Sequence, residues 1–397
     1  MQLLKERKIF CLNNIAKVGT DCFREGFSLV DSINEAAGVL VRSADMKEME
    51  FPNELRAIAR AGAGVNNIPI ERCTENGIVV FNTPGANANS VKELVICGML
   101  LASRDVNGGI NWVKDNKEDA DIAKLAEKAK KAFAGNELSG KVLGVIGLGA
   151  IGVKVANAAL ALGMKVYGYD PYISVYAAWH LSSSVVLVKS ADEVYEVSDY
   201  VTVHVPANEK TKGMINADIV GKMKNGAVLL NFSRDSLVDE AVVAEALKSG
   251  KLKKYVSDFP NAVSASMENA IVIPHLGAST EEAEDNCAVM AAKQLQDYLD
   301  NGNIQNSVNF PDLDLGICES EARVAILHRN IPNMLSQITT FFGSQGLNIE
   351  NLANKGRGDY AYTLIDISSP MPQDTVEKFR AINGVLRVRR LFERNAG

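Results

Sequence analysis

Apolar positions along the chain form short runs separated by longer amphipathic stretches. Near the start, the runs 38–41 and 78–81 alternate with helical stretches, which is typical of an α/β domain. The Lys/Ala/Glu-rich segment 114–133 predicts a solvated amphipathic helix. The alternation then repeats, and further strands are predicted at 141–146, 165–169, 200–205, 227–231, 255–259 and 270–273. Because these runs are apolar almost throughout, they predict a doubly wound parallel sheet covered by helices on both faces.

The pattern changes after residue 280. A helix is predicted over 281–299, and the stretch 301–316 is rich in Asn, Gly, Pro and Asp, which is typical of a linker. Beyond it, strands are predicted at 323–328, 360–367 and 385–391, and helices at 333–345 and 374–381. This order fits a small ferredoxin-like βαββαβ domain.

Composition narrows the class of protein. With 397 residues, 47% of them hydrophobic and 23% charged, the chain is expected to form two or three globular domains. A formal net charge of −6 argues against a nucleic-acid partner, which requires a dominant basic surface. We expect no membrane partner either, because the apolar run 94–102 is too short to span a bilayer and residues 1–10 lack a signal-peptide core.

The six cysteines are scattered along the chain and form no CxxC pair and no metal-type cluster. We therefore predict no metal site. The same distribution is typical of a cytoplasmic protein with reduced thiols.

A glycine-rich segment follows the strand predicted at 141–146. Gly147, Gly149 and Gly152 form a GxGxxG pattern, with Ala150 and Ile151 at the start of the next helix. Glycines allow the backbone to approach a pyrophosphate, whose charge is stabilised by the helix N-terminus. The next strand ends at Asp170, where an acid is expected to bind the ribose hydroxyls and to repel a 2′-phosphate. The segment predicts an NAD site and disfavours NADP.

Two charged or titratable residues follow later strands of the same predicted sheet. His275 comes after the strand 270–273, and Arg234 comes after the strand 227–231. Ligands gather at the carboxyl ends of parallel strands, so both side chains are expected to face one crevice. An imidazole there can accept a hydroxyl proton, and a guanidinium can bind a carboxylate through two hydrogen bonds. For His204 we expect a packing role or a place at the edge of the cofactor site.

These motifs, in this order, resemble the D-isomer-specific 2-hydroxyacid dehydrogenases. The likeness covers nearly the whole chain and lies in residues 60–67 (RAGAGVNN), 82–85 (NTPG), 143–152 (LGVIGLGAIG), 231–234 (NFSR), 258–260 (DFP) and 274–280 (PHLGAST). The resemblance implies that Arg234 binds the substrate carboxylate and that His275 is the catalytic acid/base. It implies that Asp258 contacts the nicotinamide amide, and it places further cofactor contacts at His204, Pro206, Phe232, Ser233 and Gly277.

The resemblance also implies how the chain is divided and what it binds. The family fold implies that the helix after Thr280 completes the first domain. The expected domains are therefore a substrate-binding domain formed by 1–90 and 283–316, an NAD-binding Rossmann domain over 91–282, and a regulatory domain over 317–397. Arg42 and Arg60, with the backbone at Gly62 and Gly64, are expected to anchor the substrate, and two arginines suit a phosphate dianion.

The implied activity is the NAD-dependent oxidation of 3-phospho-D-glycerate to 3-phosphohydroxypyruvate, in the biosynthesis of L-serine. Two alternatives stay open. One is a dehydrogenase for an unphosphorylated acid such as glycerate or hydroxypyruvate, and the other is a non-catalytic amino-acid sensor built on the same fold.

One departure from the family pattern concerns the partner of His275. The family normally has a glutamate a few residues after the DFP-type motif, where it orients the histidine, but residues 261–265 read NAVSA. Glu268 is the nearest acid. It is a candidate for the role, although its position differs, and it is expected to belong to the turn before the strand 270–273.

The C-terminal part resembles an ACT domain, which is a ligand-binding module of enzymes of amino-acid metabolism. His328 and Asn330, in a turn after the first strand, and Asn348 match the family's amino-acid site. The resemblance implies an L-serine effector site, or else a structural or dimerising role in a homo-oligomer. The family often has a glycine where this chain has Asn333, which puts the fit of the effector in question.

Overall fold

The structure is a computed structural model that describes residues 7–371 and 373–393. The described residues form two compact units. We call residues 7–86 together with 284–393 the split unit, and Asn87–Ala283 the central unit.

The split unit begins with a parallel sheet of five strands in the order β2-β1-β3-β4-β5, which we call the first sheet. The register pairs Val41 at the end of β3 with Arg60 at the end of β4, so Arg42 and Arg60 lie at the carboxyl edge of this sheet. The elements are β1 (Arg7–Cys11), α1 (Lys17–Thr20), β2 (Phe27–Val30), β3 (Gly38–Val41), β4 (Ala57–Arg60), α2 (Ile70–Glu75) and β5 (Val79–Phe81).

Three helices open the central unit. They are α3 (Ala88–Ser103), α4 (Val106–Asp115) and α5 (Ile122–Ala129), and a short 3₁₀ helix, Lys130–Phe133, follows them. The single helix predicted over 114–133 is therefore wrong. The chain turns between α4 and α5, where the side chain of Asp119 accepts a hydrogen bond from the backbone N–H of Asp121 at 2.8 Å and competes with helical bonding.

The central sheet has seven parallel strands in the order β12-β11-β10-β9-β6-β7-β8, and this confirms the predicted doubly wound fold. Its strands are β6 (Val142–Ile146), β7 (Lys165–Tyr169), β8 (Val186–Leu187), β9 (Tyr200–Val203), β10 (Ala227–Asn231), β11 (Leu252–Ser257) and β12 (Ala270–Val272). Its helices are α6 (Ala150–Ala161), α7 (Val175–His180), α8 (Ala191–Val197), α9 (Ala217–Lys222), α10 (Glu240–Lys248) and α11 (Ala262–Ser266).

The rest of the split unit comprises the helix α12 (Glu281–Asn301) and a second, antiparallel sheet. This C-terminal sheet has the order β14-β15-β13-β16, and its elements follow each other as βαββαβ, as predicted. They are β13 (Ala322–Arg329), α13 (Met334–Ser344), β14 (Ile349–Arg357), β15 (Tyr360–Ile367), α14 (Gln373–Arg380) and β16 (Val385–Glu393). No helix in the described part of the chain is both long enough and apolar enough to cross a membrane.

The C-terminal sheet shares a hydrophobic core with the first sheet. Leu327 and Leu364 from the C-terminal sheet belong to the same buried cluster as Ile9 from β1 and Tyr298 from α12. The division into three domains stays a prediction, but the interior of the split unit is continuous from one sheet to the other.

The stretch 301–316 does not run through solvent as a linker. Ile304 and Phe310 are buried in the shared core. Asn309 accepts a hydrogen bond from the backbone N–H of Val80 at 2.9 Å and donates one to the carbonyl of Ile78 at 2.9 Å. The polar residues that suggested a linker therefore satisfy backbone groups inside the fold.

Candidate active site

The carboxyl edge of the central sheet gathers most of the predicted site residues. The register places the last residues of five strands side by side, since Val203 pairs with both Ile146 and Asn231, and Ser257 pairs with both Asn231 and Val272. The residues that come next along the chain therefore emerge at one edge. They include Gly147, His204, Phe232, Asp258 and, a little further on, His275.

The glycine loop between β6 and α6 fits a dinucleotide. Gly147 has φ +92°, and a Cβ there would lie 2.4 Å from the carbonyl oxygen of His204. A Cβ on Gly152 would lie 1.9 Å from the carbonyl oxygen of Gly147. A Cβ on Gly149, by contrast, would meet no atom within 4 Å, so open space faces this glycine at the start of α6. A pyrophosphate can use that space, with Ala150 and Ile151 in the first turn of the helix.

Asp170 follows β7 and lies against the glycine loop. Its carboxylate accepts hydrogen bonds from the backbone N–H of Leu148 at 2.8 Å and from that of Tyr172 at 2.8 Å. These bonds hold the carboxylate beside the loop. The expected role toward the ribose hydroxyls stays a prediction.

His204 follows β9 and packs against the same loop. Its Nε2 lies 2.9 Å from Oγ1 of Thr202, while its Nδ1 is buried and has no hydrogen-bond partner among the described residues. Burial lowers the pKa of His204 to about 4, so the ring is neutral at physiological pH.

Arg234 and His275 come together around one aromatic ring. The guanidinium carbon of Arg234 lies 5.8 Å from the centroid of the Phe259 ring, and the imidazole centroid of His275 lies 4.5 Å from it. The amide of Asn231 donates to the carbonyl of Arg234 at 2.8 Å, which holds this loop against the end of β10. Phe259 belongs to the sequence motif 258–260, but the motif alone does not indicate that its ring contacts both side chains.

Asp258 lies beside this pair and is only 1% exposed. One of its carboxylate oxygens accepts the backbone N–H of Gly277 at 3.1 Å, and the other is buried without a hydrogen-bond partner in the described part of the chain. Burial raises the pKa of Asp258, and the charges of His275 and Arg234 act in the opposite direction.

The other predicted cofactor contacts differ in exposure and in which of their groups are already hydrogen-bonded. Phe232 is 5% exposed and packs in the core against α3, so only its backbone faces the edge of the sheet. Ser233 donates from its hydroxyl to the carbonyl of Val203 at 2.7 Å. Pro206 is exposed, and its carbonyl accepts a hydrogen bond from Thr211 at 2.6 Å.

Comparisons with known proteins show the family of the chain. The family model described as "D-isomer specific 2-hydroxyacid dehydrogenase, NAD binding domain" matches residues 96–277. A D-3-phosphoglycerate dehydrogenase of Haemophilus influenzae is 31% identical over 384 residues, which cover 93% of this chain and 90% of that protein. The chain belongs to the D-isomer specific 2-hydroxyacid dehydrogenase family. It carries the NAD-binding domain of that family.

Two further relatives show how much of the chain the family likeness covers. A D-3-phosphoglycerate dehydrogenase of Methanocaldococcus jannaschii is 36% identical over 319 residues, which cover 78% of this chain and 59% of that protein. An NAD⁺-bound 3-phosphoglycerate dehydrogenase of Entamoeba histolytica has a TM-score of 0.61 and 28% identity, and covers 78% of this chain and 100% of that one. The chain spans only 56–61% of the length of three curated relatives, the Methanocaldococcus protein among them.

The residues that were expected to anchor a substrate lie in the split unit. Arg60 donates from Nε to the carbonyl of Arg42 at 3.1 Å, and its guanidinium lies over Gly62, where a Cβ would be 1.9 Å from a guanidinium nitrogen. Arg42 donates to Glu284 at 2.6 Å. Gly64 lies further along the same loop after β4. The structure thus brings Arg42 and Arg60 together, and Glu284 is an acidic partner of Arg42.

Glu268 does not lie where the family glutamate is needed. It is exposed and precedes the N-terminal end of β12, whereas His275 follows the C-terminal end of the same strand. The carboxylate that the structure places beside His275 is that of Asp258. The sequence contains this aspartate as the first residue of the motif 258–260, so its place near His275 could have been predicted.

Two of the three predicted effector contacts use their side chains within the C-terminal sheet. His328 is 2% exposed in β13, with Nε2 2.9 Å from Oγ1 of Thr363 and Nδ1 2.8 Å from the carbonyl of Arg329. Asn330 donates to the carbonyl of Gly358 at 3.0 Å. Both ring nitrogens of His328 thus have partners within the fold, and its contact with an effector stays a prediction.

The third effector candidate, Asn348, and the departure from the family pattern, Asn333, lie at opposite ends of α13. Asn348 is exposed beyond the C-terminal end of this helix. Asn333 precedes the helix with φ +66°, a left-handed conformation that asparagine tolerates better than most residues. This conformation explains why the related family often has glycine at this position.

Proposed function

We propose that the chain catalyses the NAD-dependent oxidation of 3-phospho-D-glycerate to 3-phosphohydroxypyruvate, the first step of L-serine biosynthesis. The observation that carries the proposal is the contact that Arg234 and His275 both make with Phe259. Relatives named D-3-phosphoglycerate dehydrogenase support the choice of substrate.

In this proposal, each group at the edge of the central sheet has one task. Arg234 binds the carboxylate of the substrate through its planar guanidinium, which fixes the hydroxyl carbon. His275 accepts the hydroxyl proton as that carbon is oxidised. NAD, when bound, supplies the chemistry of hydride acceptance. Phe259 holds the imidazole and the guanidinium in place by packing against both.

Asp258 takes the supporting role that the family gives to its glutamate. Its position beside His275 and Arg234, together with its buried and unbonded carboxylate oxygen, supports this part of the proposal. A negative charge there stabilises the imidazolium that forms when His275 takes the proton. The bond from Gly277 fixes that carboxylate relative to the loop that carries His275. A contact of Asp258 with the nicotinamide amide stays a prediction.

Arg60 and Arg42 are the proposed cations for the phosphate of the substrate. Their proximity supports this, because a dianion is bound best by two neighbouring guanidinium groups. The ion pair between Arg42 and Glu284 favours the second candidate, a dehydrogenase for an unphosphorylated acid, since Arg42 already has an acidic partner. That pair is about 40% exposed on both sides, so a phosphate can displace the glutamate at modest cost.

A substrate comparison tests the proposal. Turnover of NAD is measured with 3-phospho-D-glycerate and with D-glycerate, in the wild type, in Arg60→Gln and in the exposed control Lys47→Gln. We expect the wild type to prefer the phosphorylated acid. Arg60→Gln should raise the KM for that acid about tenfold or more and leave glycerate turnover nearly unchanged. A preference for glycerate would contradict the proposed substrate. Absence of turnover with either acid would favour the non-catalytic amino-acid sensor.

We further propose a cytoplasmic, homo-oligomeric enzyme with L-serine as its effector. All six cysteines are free, which supports a reducing compartment. The expected contacts of serine are His328, Asn330 and Asn348, and the exposure of the Asn330 and Asn348 side chains supports this site.

A further inference from the structure

A cavity of about 430 Å³ lies in the split unit, between the first sheet and the C-terminal sheet. The first sheet and its connections contribute Arg7, Lys8 and Arg56 to its lining. The C-terminal sheet and α14 contribute Arg380, Arg389 and Arg390. This cavity is separate from the NAD site, since every residue that lines it belongs to the split unit.

The lining carries an excess of positive charge. Its acidic residues are Glu35, Glu54 and Glu377, against the six cations. Each acid is already paired with one cation: Glu35 with Lys8 at 2.8 Å, Glu54 with Arg56 at 3.0 Å and Glu377 with Arg380 at 2.8 Å. Arg7 is paired with Asp300, a buried acid outside the lining, at 3.0 Å, so at least four of the six cations have an acidic partner. The lining still carries more positive than negative charge, in a chain whose net charge is −6.

Arg389 lies at the centre of this excess. Its guanidinium lies 4.5 Å from the ring centroid of Tyr298 and donates to the carbonyl of Leu299 at 3.3 Å. Among the described residues, no carboxylate forms an ion pair with it. The Tyr298 ring and the Leu299 carbonyl therefore fix the orientation of the Arg389 guanidinium without neutralising its charge. That charge is available to an anion.

Neighbouring arginines repel one another around this cavity. Burial, together with the charges of Arg56, Arg389 and Arg380, lowers the pKa of Arg387 to about 10. The pKa of Arg56 is lowered by burial first and then by Arg389. A fold that gathers like charges in a partly buried place gains stability when an anion enters.

We propose that this cavity binds a small multivalent anion, such as a phosphate ester or a polycarboxylate. Guanidinium groups match both kinds of anion, because each presents paired oxygens to the two parallel N–H groups. The volume suits a compact metabolite rather than a chain segment. Because cations come from both sheets, the bound anion bridges them and strengthens their packing.

The experiment measures binding directly and does not depend on turnover. Isothermal titration calorimetry of the full chain is carried out with inorganic pyrophosphate and with citrate, at saturating NAD so that the glycine loop does not contribute. The variants are Arg380→Gln and Lys8→Gln, which remove one cation from each side of the cavity. The matched control is Lys378→Gln, a neighbouring cation on α14 outside the lining.

We expect saturable binding of at least one probe to the wild type, weakened at least tenfold in each cavity variant and less than twofold in Lys378→Gln. Tighter binding of pyrophosphate would indicate that the natural ligand is a phosphate ester. Tighter binding of citrate would indicate a polycarboxylate. The proposal is overturned if neither probe binds, or if both cavity variants bind as the wild type does. Arg380 is half exposed, so its variant should fold, and thermal unfolding checks this for every variant.

Discussion

Asp258 accepts a hydrogen bond from the backbone N–H of Gly277 at 3.1 Å, and this bond ties the end of β11 to the loop that carries His275. The acceptor is a buried carboxylate in a protein whose family glutamate is missing from 261–265. The bond therefore fixes the carboxylate that is proposed to stabilise the protonated form of His275.

The Asp258→Asn variant separates charge from shape. Its amide oxygen can still accept the Gly277 N–H, but the negative charge beside His275 is lost. We expect kcat to fall by about 10² or more, and the acidic limb of the kcat/KM profile to move to lower pH, because the imidazolium loses its stabilising neighbour. Steady-state kinetics from pH 5 to pH 10 measure both effects. An unchanged profile would leave Asp258 with a purely structural role.

Glu268→Gln is the matched control for that experiment. Because Glu268 is exposed at the far end of β12 from His275, its charge should not affect proton transfer. We expect kcat and KM to stay within about threefold of the wild type. A loss of several orders of magnitude would show that this glutamate reaches the histidine during turnover.

The glycine loop predicts opposite outcomes for two similar variants. Gly149→Ala adds a methyl group to open space, so the thermal midpoint should stay within about 2 °C. NADH affinity, measured by fluorescence titration, should fall at least tenfold, because the methyl group occupies the expected path of the pyrophosphate. Gly152→Ala forces a contact with the Gly147 carbonyl and should lower the midpoint by about 5 °C or more. Equal NADH affinity in Gly149→Ala and the wild type would contradict the placement of the cofactor.

His204 predicts a loss of stability in acid. Its pKa is about 4 in the folded protein and 6.5 by its ordinary value, so between these pH values the unfolded chain binds a proton that the folded chain does not. Stability therefore falls as the pH drops below 6.5, and at pH 5 the loss is about 2 kcal/mol.

Urea unfolding at pH 7 and pH 5 tests this prediction. The pH-dependent loss should be smaller by that amount in His204→Gln, and unchanged in His180→Gln, which alters an exposed histidine of α7. Equal pH dependence in the wild type and His204→Gln would count against a neutral buried ring.

A buried ion pair makes the C-terminal sheet sensitive to the loss of either partner. Arg323 and Asp366 bond through two pairs of atoms, at 2.6 and 2.9 Å, and their side chains are 1% and 4% exposed. Arg323→Gln leaves the carboxylate buried without its partner and should cost about 3–5 kcal/mol in urea unfolding. Glu377→Gln breaks the exposed pair with Arg380 and should cost less than about 1 kcal/mol. Similar costs for the two variants would contradict this ranking.

Strands in the interior of a sheet were predicted closely from the sequence. Strands β7 and β10 of the central sheet have the predicted bounds, as does β15 of the C-terminal sheet. Apolar residues make up most of β10 and β15, so both differ clearly in pattern from the turns beside them. The missed strand β14 reads IENLANKGR and lies at a sheet edge, where its mostly polar side chains need no apolar pattern.

Long-range hydrogen bonding explains the other differences. The segment 301–316 has the composition of a linker, but Asn309 bonds to residues of the first sheet that lie more than 200 positions earlier in the chain. His328 lies where the resemblance to ACT domains places an effector contact, but its ring bonds to Thr363, 35 residues further along the chain. Local patterns carry no information on such partners. The GxGxxG loop and the residues at the strand ends were predictable because their roles depend on local spacing.

The interior shared by the two sheets of the split unit limits how the chain can be shortened. A truncation at residue 317 would strip Leu327 and Leu364 from Ile9 and Tyr298, and would leave the outer face of α12 uncovered. Such a fragment should aggregate rather than behave as a smaller dehydrogenase. The C-terminal sheet is therefore part of the same folded unit as the first sheet, so a ligand bound to it can change the packing of the sheet that carries Arg42 and Arg60.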